Sequence, residues 1–195
     1  MKLKALLLNI QLKEKFEGDL DLDISEISLN SRKKYQKTDN AIFVCLKGPN
    51  ADGHDYTLEA ISNGAKVIVC EKKLNICQNE IVVDSTRKAL SLMASNFYDN
   101  PHKKLKMIAI TGTNGKTTTT YMLKSILESA GHKVGLIGTE GAYIGKQYFA
   151  VNLTTPDPLD LQKLIKNMVD LHCEYCVMEA SAHSIFYDKC EIMIP

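Results

Sequence analysis

The sequence predicts an α/β protein built on parallel sheet and arranged as two successive units. Short apolar runs of strand length alternate with stretches of helical periodicity along the chain, and such alternation implies parallel strands covered on both faces. Near residue 110 a strand-like run passes through a glycine loop and Lys-Thr into an amphipathic stretch, the order found in P-loop folds. The composition agrees, because 195 residues with 45% hydrophobic and 24% charged side chains can bury a core. That length allows one domain or two small ones, at roughly 100–200 residues each.

Charge and hydropathy exclude several function classes. Lys+Arg 24 against Asp+Glu 23 leaves a net charge of +1, so no basic surface for nucleic acid is expected. No apolar run approaches the roughly 18 residues of a membrane span. The start, Met1 to Leu8, has a short apolar run followed by Gln11-Leu12-Lys13-Glu14-Lys15 and no small-residue cleavage site, unlike a secretory leader. Leu3, Leu6, Leu7 and Ile10 fall at helical spacing instead. The cysteines are Cys45, Cys70, Cys77, Cys173, Cys176 and Cys190, mostly in apolar surroundings, and they read as buried free thiols of a reducing cytoplasm. Cys173-Glu174-Tyr175-Cys176 has metal-ligand spacing but lacks a second pair.

The first unit is assigned residues 1–104. Ile42-Phe43-Val44-Cys45-Leu46 reads as a buried strand closed by Lys47-Gly48-Pro49. Residues 56–63 read as a helix ended by Gly64. Lys66-Val67-Ile68-Val69-Cys70 and Glu80-Ile81-Val82-Val83 are further strands. Asp84-Ser85 can cap a helix running to about residue 98, and Asn100-Pro101-His102-Lys103-Lys104 reads as a linker.

The second unit is assigned residues 105–195. Met107-Ile108-Ala109-Ile110 is a strand, and Met122, Leu123, Ile126, Leu127 and Ala130 form one apolar helix face ended by Gly131. Val134-Gly135-Leu136-Ile137 is the next strand. Asp157 stands as N-cap and Pro158 at the first position of a helix whose face is Leu161, Leu164, Ile165 and Met168. Tyr175-Cys176-Val177-Met178 is a buried strand, with Glu179 after it.

The chemistry concentrates in Thr111-Gly112-Thr113-Asn114-Gly115-Lys116-Thr117-Thr118. Gly112 and Gly115 permit backbone conformations that other residues resist. Loop N–H groups and a helix N-terminus then favour phosphate oxygens, Lys116 supplies a compact cation, and the Thr117 hydroxyl suits Mg²⁺. Ile110 stands where the standard eight-residue pattern has its first Gly, so the loop is a shorter variant.

This loop resembles the ATP loop of the Mur ligases, and other motifs in the same order extend the resemblance. They are Leu29-Asn30-Ser31-Arg32, Phe43-Val44-Cys45-Leu46-Lys47-Gly48 with Ala51-Asp52-Gly53-His54, Thr154-Thr155-Pro156-Asp157, and Met178-Glu179-Ala180-Ser181-Ala182-His183-Ser184. The set is most similar to the branch that adds the third amino acid, diaminopimelate or L-lysine, to UDP-N-acetylmuramoyl-L-alanyl-D-glutamate in peptidoglycan synthesis. Asn30 replaces the family's Asp, Ala182 its second Ser, and Lys189 stands where an Arg is usual.

The resemblance implies a cytoplasmic, ATP- and Mg²⁺-dependent amide-forming ligase with three domains: UDP-binding, ATPase and amino-acid-binding. In it ATP phosphorylates the D-Glu carboxylate, and the diamino acid's amine attacks. Residues 1–104 would be the UDP-muramyl-binding domain and 105–195 the opening of the ATPase, with the third domain absent, so the chain alone is expected to make no product and to fold weakly. By resemblance Lys116 and Glu179 are catalytic, and residues Gly112, Thr113, Asn114, Gly115, Lys116, Thr117 and Thr118 hold ATP. Thr117 and Glu179 hold the metal. Leu29, Ser31, Asn152, Thr154, Thr155, Ser181 and Lys189 hold the UDP-muramyl dipeptide. Blander readings stand beside these: Glu179 as a solvated strand end, Thr154-Thr155 as a helix entry, Ser31 to Lys34 as a surface loop, His183 as a structural residue. The alternatives at the level of function are a non-catalytic UDP-muramyl or nucleotide-binding module and a folylpolyglutamate-synthetase-like ligase. A small kinase would leave the first hundred residues without a role.

Overall fold

The three apolar runs of the first unit become neighbouring parallel strands. The computed structural model describes residues 1–36, 39–182 and 184, and the chain divides into two units, residues 1–97 and 98–195. In the first, β1 (Glu26–Ser28), β2 (Ala41–Val44), β3 (Ala65–Cys70) and β4 (Glu80–Val82) lie in sequence order, all parallel. Every residue of β2 and β4 is buried, as a parallel sheet with two covered faces requires. Helices α2 (Thr57–Ser62) and α3 (Thr86–Phe97) connect or follow these strands. Ser85 Oγ accepts from Lys88 N–H at 3.3 Å, so the helix start has the cap that the sequence predicts. Glu71 adds to it, accepting from both the Thr86 N–H and hydroxyl at 3.0 Å.

The opening helix is shorter than its periodicity suggests. α1 covers only Leu3–Leu6, and Asn9 adopts φ 63°. Leu3 and Leu6 are fully buried, so two anchors of the stripe pack and the chain then turns.

A buried carboxylate organises the loop before β4. Glu80, 2% exposed, accepts the N–H groups of Leu74, Asn75, Ile76 and Cys77. Burial by itself would raise this carboxyl, but the donors from Ile76, Leu74, Cys77 and Asn75 outweigh it and hold the pKa below its ordinary 4.5.

In the second unit, β5 (Lys106–Ile110), α4 (Lys116–Ser129), β6 (Val134–Gly138), β7 (Gly141–Ile144), β8 (Gln147–Phe149), α5 (Pro158–Asp170) and β9 (Tyr175–Glu179) follow in order. The sheet runs β5-β9-β6-β7-β8. β5, β9 and β6 are parallel, whereas β7 and β8 add an antiparallel ribbon. The sheet is therefore mixed, a departure from the purely parallel expectation. The strand β8 is only three residues long and largely exposed, which hides it from a search for apolar runs. The ribbon carries an aromatic pair, Tyr143 and Tyr148, with ring centroids 5.2 Å apart.

The α5 face packs as its spacing predicts, with Leu161, Leu164, Ile165 and Met168 all buried. The α4 face differs. Met122 and Ile126 are 60% and 62% exposed, and among the described residues of this helix only Thr120 is fully buried. Leu123 and Leu127, half-buried, share its inner side. The helix packs mainly against β6 and β9 through that inner side, and among the described residues β5 lies at the sheet edge and is itself half-exposed. The segment Pro101–Lys104, read as a linker, forms one 3-10 turn.

Cys45, Cys70, Cys173 and Cys176 are buried free thiols, and Cys77 is partly buried. Cys190 lies outside the described residues. Burial pushes the thiols of Cys70 and Cys176 up to about 11 and about 12. Among the described residues no helix is long and apolar enough to cross a membrane.

Candidate active site

The second unit gathers its chemistry at the carboxyl ends of three adjacent parallel strands, where open α/β sheets place ligands. The loop after β5 leads into α4, Thr139 follows β6, and Glu179 ends β9. A cleft of about 370 Å³ is lined by Thr113, Asn114, Gly115, Lys116, Thr117, Thr118, Thr139, Thr154, Glu179 and Ser181. Nine of these ten residues are ones the sequence singled out; Thr139 is the addition.

Gly115 caps α4 at φ 79°, a left-handed conformation that costs an L side chain about 1–2 kcal/mol. Lys116 curls back over the loop, its Nζ donating to Gly112 O at 2.7 Å and Thr113 O at 3.4 Å. The ammonium is held by weakly competing carbonyls at the start of a helix, where N–H groups are unsatisfied and positive potential accumulates.

Glu179 is 1% exposed and surrounded by donors. Its Oε1 accepts from the Thr117 hydroxyl and from Thr139 N–H, each at 3.0 Å, and its Oε2 accepts from the Thr139 hydroxyl at 3.1 Å. A Cβ on Gly138 would stand 2.3 Å from Oε1, so this glycine is what lets the carboxylate lie against β6. Thr117 and Glu179 together form a hard-oxygen pair at the foot of the phosphate-type loop.

Thr155 lies deeper. It is 3% exposed, donates to Glu179 O at 3.0 Å and accepts from Ser181 N–H at 3.2 Å. It thereby ties the two loops that carry Thr154 and Ser181. Asn152 stands apart, lining a second cleft of about 370 Å³ with Leu153, Asp157 and Lys163. Lys189 and His183 lie outside the described residues.

The first unit has its own cleft, about 620 Å³, again at strand carboxyl ends. Leu29, Ser31 and Arg32 come from the loop after β1, and Leu46, Gly48 and Ala51 from the loop after β2. Phe43, from the core beneath, and Arg87 also line it. Ser31 Oγ donates to Glu59 Oε2 at 2.5 Å, and Asn63 Nδ2 holds Ser31 O at 2.8 Å. Arg87 donates to Lys47 O across the wall. His54 is buried and pins the far side of the second loop. Its ring Nδ1 lies 2.6 Å from Asp52 Oδ1, and its Nε2 accepts Glu71 N–H at 3.0 Å. That acceptor role fixes the tautomer with the proton on Nδ1. Donation from the His54 backbone N–H, then from its ring, lowers the Asp52 pKa.

The sequence reading missed Thr139, Glu59, Asn63 and Arg87. Thr139 has a signal in retrospect, since it is the first residue past the strand Val134–Gly138. Glu59 and Asn63 have none, because their role exists only once α2 is laid beside the loop after β1.

The comparisons with known proteins agree for both units. The model of the Mur ligase family, catalytic domain, matches residues 23–98, and that of the Mur ligase middle domain matches residues 110–192. The chain is 48% identical over 192 residues to the UDP-N-acetylmuramoyl-L-alanyl-D-glutamate--2,6-diaminopimelate ligase 1 of Clostridium acetobutylicum, covering 97% of this chain and 39% of that protein. It is 51% identical over 172 residues to the ligase of the same name without the number from Clostridium botulinum, covering 86% of this chain and 35% of that protein. A solved structure of a UDP-N-acetylmuramoyl-L-alanyl-D-glutamate--2,6-diaminopimelate ligase shares the fold, with a TM-score of 0.74 at 23% identity over 97% of this chain and 38% of that one. The chain thus spans well under half the length of these relatives.

Proposed function

Because this chain belongs to the Mur ligase family, we propose that it carries the UDP-muramyl-binding domain (residues 1–104) and the opening of the ATP-binding domain (residues 105–195) of a cytoplasmic ligase that joins a diamino acid to UDP-N-acetylmuramoyl-L-alanyl-D-glutamate. The names of its relatives point to 2,6-diaminopimelate as the incoming amine. The observation that supports this reading most is the single cleft where residues 113–118 meet Glu179, Thr154 and Ser181.

The residues divide the work by chemistry. The loop from Gly112 to Thr118 offers backbone N–H groups and the α4 N-terminus to the phosphates of ATP. Lys116 exchanges its present contacts with Gly112 O and Thr113 O for phosphate oxygens, a charge-assisted pairing. The Thr117 hydroxyl and Glu179 carboxylate, 3.0 Å apart, fit Mg²⁺, which prefers hard oxygen ligands. When bound, Mg²⁺ neutralises charge on the transferring phosphoryl group. Thr154 and Ser181 orient the muramyl dipeptide, with Thr155 bracing both loops and Lys189 as a further cation for the same anionic substrate. In the first unit Leu29 and Ser31 meet the uridine end, with Phe43 in the core beneath, and Arg32 and Arg87 face the diphosphate.

Isothermal calorimetry on the 195-residue chain tests this. ATP with Mg²⁺ is expected to bind, and Lys116→Ala to weaken it at least about tenfold, the scale of a hydrogen bond to a charged group. UDP-N-acetylmuramoyl-L-alanyl-D-glutamate is expected to bind independently of that substitution. Absence of ATP uptake by a chain that circular dichroism shows to be folded, or uptake indifferent to Lys116→Ala, overturns the reading.

A further inference from the structure

We propose that Thr139 is a positioning residue that holds the Glu179 carboxylate in place for a divalent cation and links it to Thr154 on the neighbouring loop; this rests on the nucleotide reading given above. An ionised carboxylate has about four acceptor positions. Thr139 fills two of them, one from its backbone N–H at 3.0 Å and one from its hydroxyl at 3.1 Å, while Thr117 fills a third at 3.0 Å. Thr117 is also the hydroxyl that the phosphate loop offers to the cation. Once it turns to that task it leaves Oε1, and Thr139 alone then keeps Glu179 from swinging.

The proton count gives the second half. The Thr139 and Thr154 hydroxyl oxygens lie 3.1 Å apart. Thr139 has one hydroxyl proton, and the carboxylate can only accept, so that proton goes to Glu179. Thr154 therefore supplies the proton between the two hydroxyls and presents its lone pairs to the cleft. Thr154 in this state accepts from an N–H of a bound substrate and does not donate to it. The nucleotide end of the cleft and the loop carrying Thr154 are thus joined through two hydroxyl groups.

The test is calorimetric titration of ATP into the 195-residue chain, in Mg²⁺ and in EDTA, for the unsubstituted chain, Thr139→Val and Thr139→Ser. Valine keeps the shape and the backbone donor and removes the hydroxyl. Loss of an outer partner of a metal ligand costs about 10–100-fold in metal affinity, so Thr139→Val is expected to lose about tenfold of the affinity gained on adding Mg²⁺ and to leave the value in EDTA unchanged. Thr139→Ser is expected to stay within about threefold of the unsubstituted chain. Glu179→Gln combined with Thr139→Val is expected to be no weaker than Glu179→Gln alone, since the hydroxyl acts through that carboxylate. Circular dichroism checks the fold of each variant, and Thr139→Ala takes the place of valine if valine does not fold. An unchanged Mg²⁺ gain, an equal loss in EDTA, or additive losses in the double variant overturn the inference while leaving nucleotide binding standing. No ATP uptake by the folded unsubstituted chain overturns both.

Discussion

The two units obey one rule of placement and fill it with different chemistry. In each, the cleft lies at the carboxyl ends of neighbouring parallel strands. The first is the larger, about 620 Å³, and its lining includes Phe43, Arg32 and Arg87. The second is about 370 Å³ and lined almost wholly by hydroxyl, amide, ammonium and carboxylate groups. A flat ring with a charged tail suits the first, and a polyphosphate with a hard cation suits the second. The sheets beneath differ as well. The strands β2 and β4 are buried throughout, whereas β5 is half-exposed and α4 leaves Met122 and Ile126 in solvent. The placement of a site follows from strand direction, whereas the cover over the strands beneath it differs from one unit to the other.

Core truncation is the strongest way to break that contrast. Ile68→Ala, at a fully buried position of β3, should cost about 2–5 kcal/mol. Ile126→Ala, on the open face of α4, should stay within about 0.5 kcal/mol. Urea unfolding measures both, and equal costs would show that α4 is covered in solution.

The next effect belongs to Glu80. Its carboxyl gives up its proton more readily in the folded chain than in the unfolded one. The stability it contributes is therefore present above pH 4.5 and is lost as the pH falls through the lower folded value. Glu80→Gln should cost about 1–3 kcal/mol at neutral pH, since two or more N–H groups lose their partner. Between pH 5 and pH 3 its urea midpoint should fall less than that of the unsubstituted chain. Parallel pH curves for the two proteins would remove the carboxylate from this role.

The smallest effect is at the surface. Lys166 and Asp170 form an i,i+4 ion pair on α5, and Lys166→Ala should cost only about 0.3–0.5 kcal/mol, less at high salt. A loss above about 1 kcal/mol would mean that the outer face of α5 packs more tightly than its exposure indicates.

Much of this was legible before any coordinates. Strand runs such as Val67 to Cys70 announce themselves because a doubly covered strand must be apolar throughout. The phosphate-type loop is legible because only Gly at 115 tolerates the turn into α4. What was hidden is relational. Gln147–Phe149 is too short to stand out as a strand run, so the ribbon it makes with β7 is not visible in the sequence. The stripe Met122/Ile126 has the right period, yet burial of a stripe depends on what stands opposite, and among the described residues nothing covers these two. Thr139 looks like any strand-end residue until β9 brings Glu179 beside it.

The insertion of β9 between β5 and β6 also sets the order of assembly. Lys106 in β5 pairs with Tyr175, 69 residues later. As the chain leaves the ribosome, the strand that launches the Gly112–Thr118 loop lacks its one neighbour among the described residues until the segment Tyr175–Glu179 has been made. For that interval it is a bare apolar ribbon of the kind chaperones retain. Glu179 arrives with that same strand, paired with Ile110 at the point where the loop begins.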